Sequence, residues 1–234
     1  MTTDTGNGTA LLRLLAWMSP GFPIGAYTYS HGLEAAVNDD DITDRASAAL
    51  WIRDCVQSGA GFADTVLLAA AWRAIDTSDA DALAHAVETA AALSPTLELA
   101  LESESQGKAF LTAIEAAWPC AATKSLRDAS TETGQPLTLG VAVGGIAAGQ
   151  GVPLQQTAEA YLHAFAANLI SAVVRLVPLG QTDGLRLTAE LEPRLPDLAA
   201  MAVDTPVNMI STSTFIGDIK SMQHEIQRTR LFRS

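Results

Sequence analysis

Cysteine is scarce in this sequence: Cys55 and Cys120 are the only two in 234 residues. They form no Cys-x-x-Cys pair and no other metal-like spacing, which excludes a disulfide framework and a zinc module and suits a reducing compartment. Positive charge is scarce too, with 14 Lys and Arg against 26 Asp and Glu for a formal net charge of −12. Binding nucleic acid requires clustered cations to neutralise phosphates, so that class is excluded, while basic protein surfaces and cations suit the balance. Long hydrophobic runs are missing, none approaching the roughly 20 residues that cross a bilayer. The first ten residues, MTTDTGNGTA, lack the positive charge of a secretory signal. A cytoplasmic protein with no membrane or nucleic-acid partner is expected.

Catalytic signatures are absent as well. The four histidines, His31, His85, His163 and His224, are scattered, and there is no His-Glu-x-x-His, no phosphate loop and no Gly-x-Ser-x-Gly elbow. Without a nucleophile and base in one constellation, an enzyme acting alone is not expected. His85 and His163 read as polar-face or satisfied core residues. The stretch Asn38 to Asp41 reads as a solvated loop, since it lacks the alternating spacing and closing glutamate of a calcium loop.

What is present is helical periodicity. Hydrophobic residues make up 48% of the chain, enough for a sizeable core, and they recur at helical spacing almost everywhere. The clearest helix runs from Pro153 to Leu176, with Leu154, Ala158, Tyr161, Leu162, Phe165, Leu169, Val173 and Leu176 on one face. Other starts are marked by Thr9, Thr43, Asp79 and by Ser94 with Pro95. The run LTLGVAVGGIAAG, residues 137–149, reads as a buried helix closely approached by its neighbours, at about 1 kcal/mol per glycine against alanine. The expected fold is all-α: a single-domain helical bundle of about eight to ten helices over residues 1–234. Its amino terminus, 1–8, is expected to be flexible, and a partner-binding tail is expected from about 220 to 234.

Three segments break the periodicity. SPGFPIGAYTYSHGLE, residues 19–34, holds more aromatics than a turn needs; an aromatic plug at one end of the bundle and a recognition surface fit it equally, because a buried tyrosine wants a partner for its hydroxyl. RLVPLGQTDG, residues 175–184, reads as an interhelical turn with Thr182 or Asp183 as the next cap. The third segment is the tail. From Lys220 to Ser234 there are four basic side chains and one acidic one, a balance of +3 at the end of an acidic chain. Burying Leu231 and Phe232 is worth roughly 3–6 kcal/mol, less than the roughly 7–14 kcal/mol needed to order seven residues. The tail is therefore expected to be loose alone and to fold against a partner offering a pocket for Phe232 and carboxylates for Arg230 and Arg233. Docking on its own acidic bundle is the alternative.

Together with ESESQGKAFL, residues 102–111, and the ending HEIQRTRLFRS, residues 224–234, these segments resemble the UreF family of urease accessory proteins. The matching pieces occur in the family's order and span nearly the whole chain. The resemblance implies an all-helical, homodimeric, non-catalytic factor that bridges UreD (also called UreH) and the GTPase UreG in the complex that delivers nickel to apo-urease. It implies no cofactor of its own, nickel being handled by the complex. The partner-binding residues it suggests are Tyr27, Tyr29, Ser30, Gly32, Glu34, Arg175, Gln181, His224, Arg228, Arg230, Leu231, Phe232 and Arg233. Among these, Glu34 and Arg175 are candidates for cation passage or coupling, with a structural pair between them as the alternative. Arg233 as an activating finger for the GTPase is a sharper variant of the tail's role. A stand-alone helical enzyme or small-ligand binder using the loop at 19–34 is the rival from another class.

Overall fold

The computed structural model describes residues 5–234. Part of the stretch expected to be flexible, residues 1–4, lies outside the described residues; α1 (Thr5–Trp17) begins upstream of the expected cap at Thr9. The aromatic loop leads to the short α2 (Leu33–Asn38), then come α3 (Arg45–Ser58), α4 (Ala60–Thr77) and α5 (Ala80–Ala92). The middle of the chain gives α6 (Leu97–Ala117), α7 (Ala122–Thr133), α8 (Leu139–Gly149) and the long α9 (Leu154–Leu176). Last are α10 (Gln181–Leu191), α11 (Leu195–Asp204) and α12 (Phe215–Glu225), followed by the tail. Among the described residues there is no strand, so the expected all-α bundle is what forms.

Side-chain chemistry explains where helices start. Asp79 caps α5 as expected, accepting the Ala82 N–H at 2.9 Å. For α3 the cap is Asp44 rather than Thr43, because its carboxylate accepts the Ser47 N–H at 2.8 Å while the Ser47 hydroxyl accepts the Asp44 N–H at 3.2 Å. At α6 the cap is Thr96, just past Ser94 and Pro95, accepting the Leu99 N–H at 3.2 Å. Neither Thr182 nor Asp183 caps α10, which begins at Gln181 after Gly180. Asp183 lies inside the first turn and pairs there with Arg186 at 3.0 Å.

The apolar interior has two centres. One gathers α4, α5, α6 and α8 around Trp17, which meets Phe110 and Trp118 edge to face with ring centroids 6.1 and 6.2 Å away. The other gathers α2, α3, α9, α10 and α11 around Ile52, Leu162, Leu169 and Val173, and it includes Phe232 of the tail. The glycines of α8 are there for contact. A Cβ added at Gly144 would stand 2.1 Å from the Leu68 carbonyl oxygen of α4, so the two helices touch backbone to backbone. Gly144→Ala should lower stability by roughly 1–3 kcal/mol despite alanine's better helix propensity. Gly8→Ala in α1, where a methyl meets nothing within 4 Å, should instead be neutral or gain up to about 1 kcal/mol. Urea denaturation of the two variants checks this, and a stabilised Gly144→Ala would contradict the packing.

Candidate functional site

The three non-periodic segments converge at one end of the bundle, and Glu34 joins them. Gly32 and His31 turn the loop into α2 with positive φ, +74° and +53°. At Gly32 a Cβ would lie 2.8 Å from the Ser221 nitrogen, so the backbone of α12 rests directly on this turn. Glu34, buried in the first turn of α2, aims its carboxylate at the tail: Oε1 accepts the Leu231 N–H at 2.7 Å and Oε2 the Phe232 N–H at 2.8 Å. The Gln227 amide also reaches Oε1, at 3.4 Å. His224 is fully buried between two acids, with Nε2 3.3 Å from Glu34 and Nδ1 2.6 Å from Glu98. Arg230 donates to the other oxygen of Glu98 at 2.6 Å.

Arg175, in the last turn of α9, works from the opposite side. Its guanidinium carbon lies 3.6 Å from the ring centroid of Tyr27 and 4.2 Å from that of Phe232. It also donates to the Tyr27 carbonyl at 2.8 Å. The cation is thus sandwiched by aromatic faces, one from the loop and one from the tail. The last residues zip onto the loop: the Arg233 N–H donates to the Thr28 carbonyl and the Ser30 N–H to the Ser234 carbonyl, each at 2.8 Å. Ser234 Oγ then donates to Glu102 at 2.7 Å.

The tail is therefore not loose. It is docked on its own subunit, with Phe232 buried and Arg230 paired to Glu98 of the same chain. The expectation failed because it credited the tail with apolar burial and exposed ion pairs only. It omitted a desolvated carboxylate accepting two consecutive backbone amides, each such charged hydrogen bond being worth about 1.5–3 kcal/mol. Glu34 and Arg175 do not pair with each other; each grips the tail separately. Of the suggested residues, the structure brings together Tyr27, Tyr29, Ser30, Gly32, Glu34, Arg175, His224, Arg230, Leu231, Phe232 and Arg233. Gln181 and Arg228 stay on the surface. The aromatic loop divides, with Phe22 and Tyr29 buried as a plug and Tyr27 exposed.

Behind this junction lies a polar centre that the sequence reading missed. A cavity of about 290 Å³ runs past Trp17, Phe22, His31, Asp64, Tyr161 and Cys55. Glu102 lies on its wall, 3.0 Å from His31 Nε2 and 3.0 Å from the Gln106 amide. The Tyr161 hydroxyl donates to Asp64 at 3.1 Å. Burial pushes Asp64 up to about 6, although the Tyr161 hydrogen bond and the charge of His31 oppose this. At His31 burial acts to lower the pKa, yet the charge and hydrogen bond of Glu102, with the charge of Asp64, leave it raised. Burial pushes the Cys55 thiol up to about 12. The signal available in the sequence was Asp64 itself, one carboxylate at the head of the apolar run TVLLAAAW. Among the described residues, no group of three or more His, Cys, Asp or Glu is arranged to hold a metal ion. His85 and His163 are exposed, and His163 lies on the lining of the cavity.

The family model UreF matches residues 42–192, more than half of the chain. The chain belongs to the UreF family. A urease accessory protein UreF from Azorhizobium caulinodans is 46% identical over 231 residues, 99% of this chain and 98% of that protein. Those of Rhodopseudomonas palustris strain BisB5 and Methylobacterium radiotolerans are each 44% identical, over 96% and 95% of this chain and 91% and 96% of their own lengths. The family-model match excludes the aromatic loop and the tail, so it is the near full-length similarity to the relatives that extends over the Glu34 junction.

Asp64 gives this site a pH signature. Its folded value of about 6 lies above that of an unfolded aspartate, so the native chain holds the proton more tightly. That contribution to stability is complete below roughly pH 4 and is lost as pH rises through about 6. Asp64→Asn keeps an oxygen for the Tyr161 hydroxyl and should flatten the fall in unfolding free energy across this range, measured by urea melts at stepped pH. An unchanged slope would contradict the assignment.

Proposed function

We propose that this protein is a non-catalytic urease accessory factor that bridges UreD (UreH) and the GTPase UreG, as a homodimer, in the complex that delivers nickel to apo-urease. The observation that carries this reading is the orientation of α12. Its buried residues are polar, Lys220, Ser221 and His224, while Phe215, Ile216, Ile219, Met222 and Ile226 face solvent, Phe215 70% exposed and Ile226 83% exposed. A helix seated by its polar face with its apolar face outward is the reverse of a surface helix in a self-sufficient bundle. A contiguous apolar face of this kind marks a protein–protein contact.

Leu97 and Leu101 of α6 and Leu231 of the tail, all exposed, continue the apolar surface, because Glu225 accepts the Leu97 N–H at 2.9 Å and so holds α12 against the start of α6. Arg228 and Arg233 are exposed around it, ready for acidic groups on a partner. We assign this face to UreD, with Tyr27, Gln181, Arg228, Leu231 and Arg233 as contact residues. Tyr29, Ser30, Gly32, Glu34, Arg175, His224, Arg230 and Phe232 build the platform beneath. Nickel is cargo in this reading. The cavity, with His31, Asp64 and Glu102 along it, offers donors to a passing cation without a closed ligand cage, which favours transit over retention. The same residues Ile216 and Ile226 provide the test. Replacing either with Glu should leave the melting temperature unchanged, since both side chains are solvent-exposed, and should weaken UreD pull-down by roughly tenfold or more. Full-strength capture of UreD by both variants would overturn the assignment of this face.

A further inference from the structure

The inverted seating of α12 has a mechanical counterpart on its inner side. Thr212, Thr214, Gly217 and Asp218, in and just before the first turn of α12, line the cavity together with Cys55. At the far end of the same segment, Ser234 holds one oxygen of Glu102 while the other faces His31 in the cavity wall. Residues 212–234 thus form a strap whose start, residues 212–218, makes part of the cavity wall and whose last residue touches Glu102 of that wall.

What fastens the strap is almost entirely polar. Lys220 lies 2.6 Å from both Asp39 and Asp41. The Ser221 and Thr96 hydroxyls are 2.8 Å apart. His224 is held by Glu34 and Glu98, Arg230 by Glu98, and the Leu231 and Phe232 amides by Glu34. Phe232 is the one large apolar side chain that the tail buries. Polar fastenings differ from apolar packing in what replaces them on opening: water takes over hydrogen bonds and ion pairs group for group, whereas exposed apolar surface has no substitute. A segment fastened in this way belongs to the low-cost end of local opening.

We infer that α12 and the tail form a reversible lid over one side of the cavity, closed by the carboxylates of Glu34, Asp39, Asp41 and Glu98, and that lifting the lid widens the access of water and small solutes to Asp64, Glu102 and Cys55. The lid acts from its inner face and is independent of which partner covers the outer one. Its failure and the failure of the UreD assignment are therefore separable: the first is read in the isolated protein, the second only with UreD present.

Cys55 is the reporter. In a Cys120→Ser background, the rate of alkylation of Cys55 by N-ethylmaleimide is measured at fixed pH for the parent, Glu34→Gln and Lys220→Met, with no denaturant. Unfastening from either end, at the tail or at the loop carrying Asp39 and Asp41, should speed labelling by roughly tenfold or more, because an opened lid brings the half-buried thiol fully into water and lets it ionise. Gly144→Ala is the control. It loosens the contact between α4 and α8, away from the strap, and should raise labelling far less than a strap variant of matched denaturation midpoint. Labelling at the parental rate in both strap variants, or equal acceleration in Gly144→Ala, would overturn the lid.

Discussion

A carboxylate taken out of water must be given hydrogen-bond donors, and at Glu34 the donors are the backbone of the chain's own end. The Leu231 and Phe232 amides fill one acceptor position on each oxygen, at 2.7 and 2.8 Å, and the buried His224 adds a third contact. The constraint is mutual. With the tail lifted, water must replace the two amides at Glu34, and with an apolar side chain in place of Glu34 the docked tail's two amides lose their acceptor. Everything else at this end follows from that exchange: Phe232 is delivered to the face of Arg175, Arg230 to Glu98, and Ser234 to Ser30 and Glu102.

The same exchange sets the unusual orientation of α12. Because its inward side must supply Lys220, Ser221 and His224 to acids and hydroxyls of α2, α6 and the loop at 39–41, its apolar side has no place in the interior. Two tasks are thereby separated on one helix: the polar face holds the segment to its own subunit, and the apolar face remains for another. Gly32 makes the arrangement sterically possible, since its missing Cβ leaves room for the α12 backbone.

Much of this was legible in the sequence and some was not, for physical reasons. The helices could be read because apolar periodicity and capping chemistry are local, and even the errors at Thr43 and Ser94 fell within two residues of the true caps, Asp44 and Thr96. The glycine-rich run was legible as a closely approached helix, although which neighbour touches Gly144 was not. Most junction residues stood out by type, as Tyr27, Arg175, Arg230 and Phe232 do in a chain so low in cations and aromatics, and Glu34 by its place at the end of the aromatic loop. Their pairing did not. A carboxylate that binds main-chain amides leaves no trace in the identity of the residues it binds, so Glu34 gave no hint that its partners were at 231 and 232. Nor could the composition of α12 say which of its faces turns inward, since one amphipathic pattern serves both orientations. Asp64 and Glu102 were passed over because acidic residues far apart in the chain acquire meaning only once the fold sets them along the same cavity.

The central claim is that the tail is held by its own subunit, through Glu34, before any partner arrives. Backbone amide order parameters of the isolated protein at Leu231 and Phe232 test it most directly. The account predicts values near those of the helices, about 0.85. Values below about 0.6, the mark of a flexible chain, would contradict it.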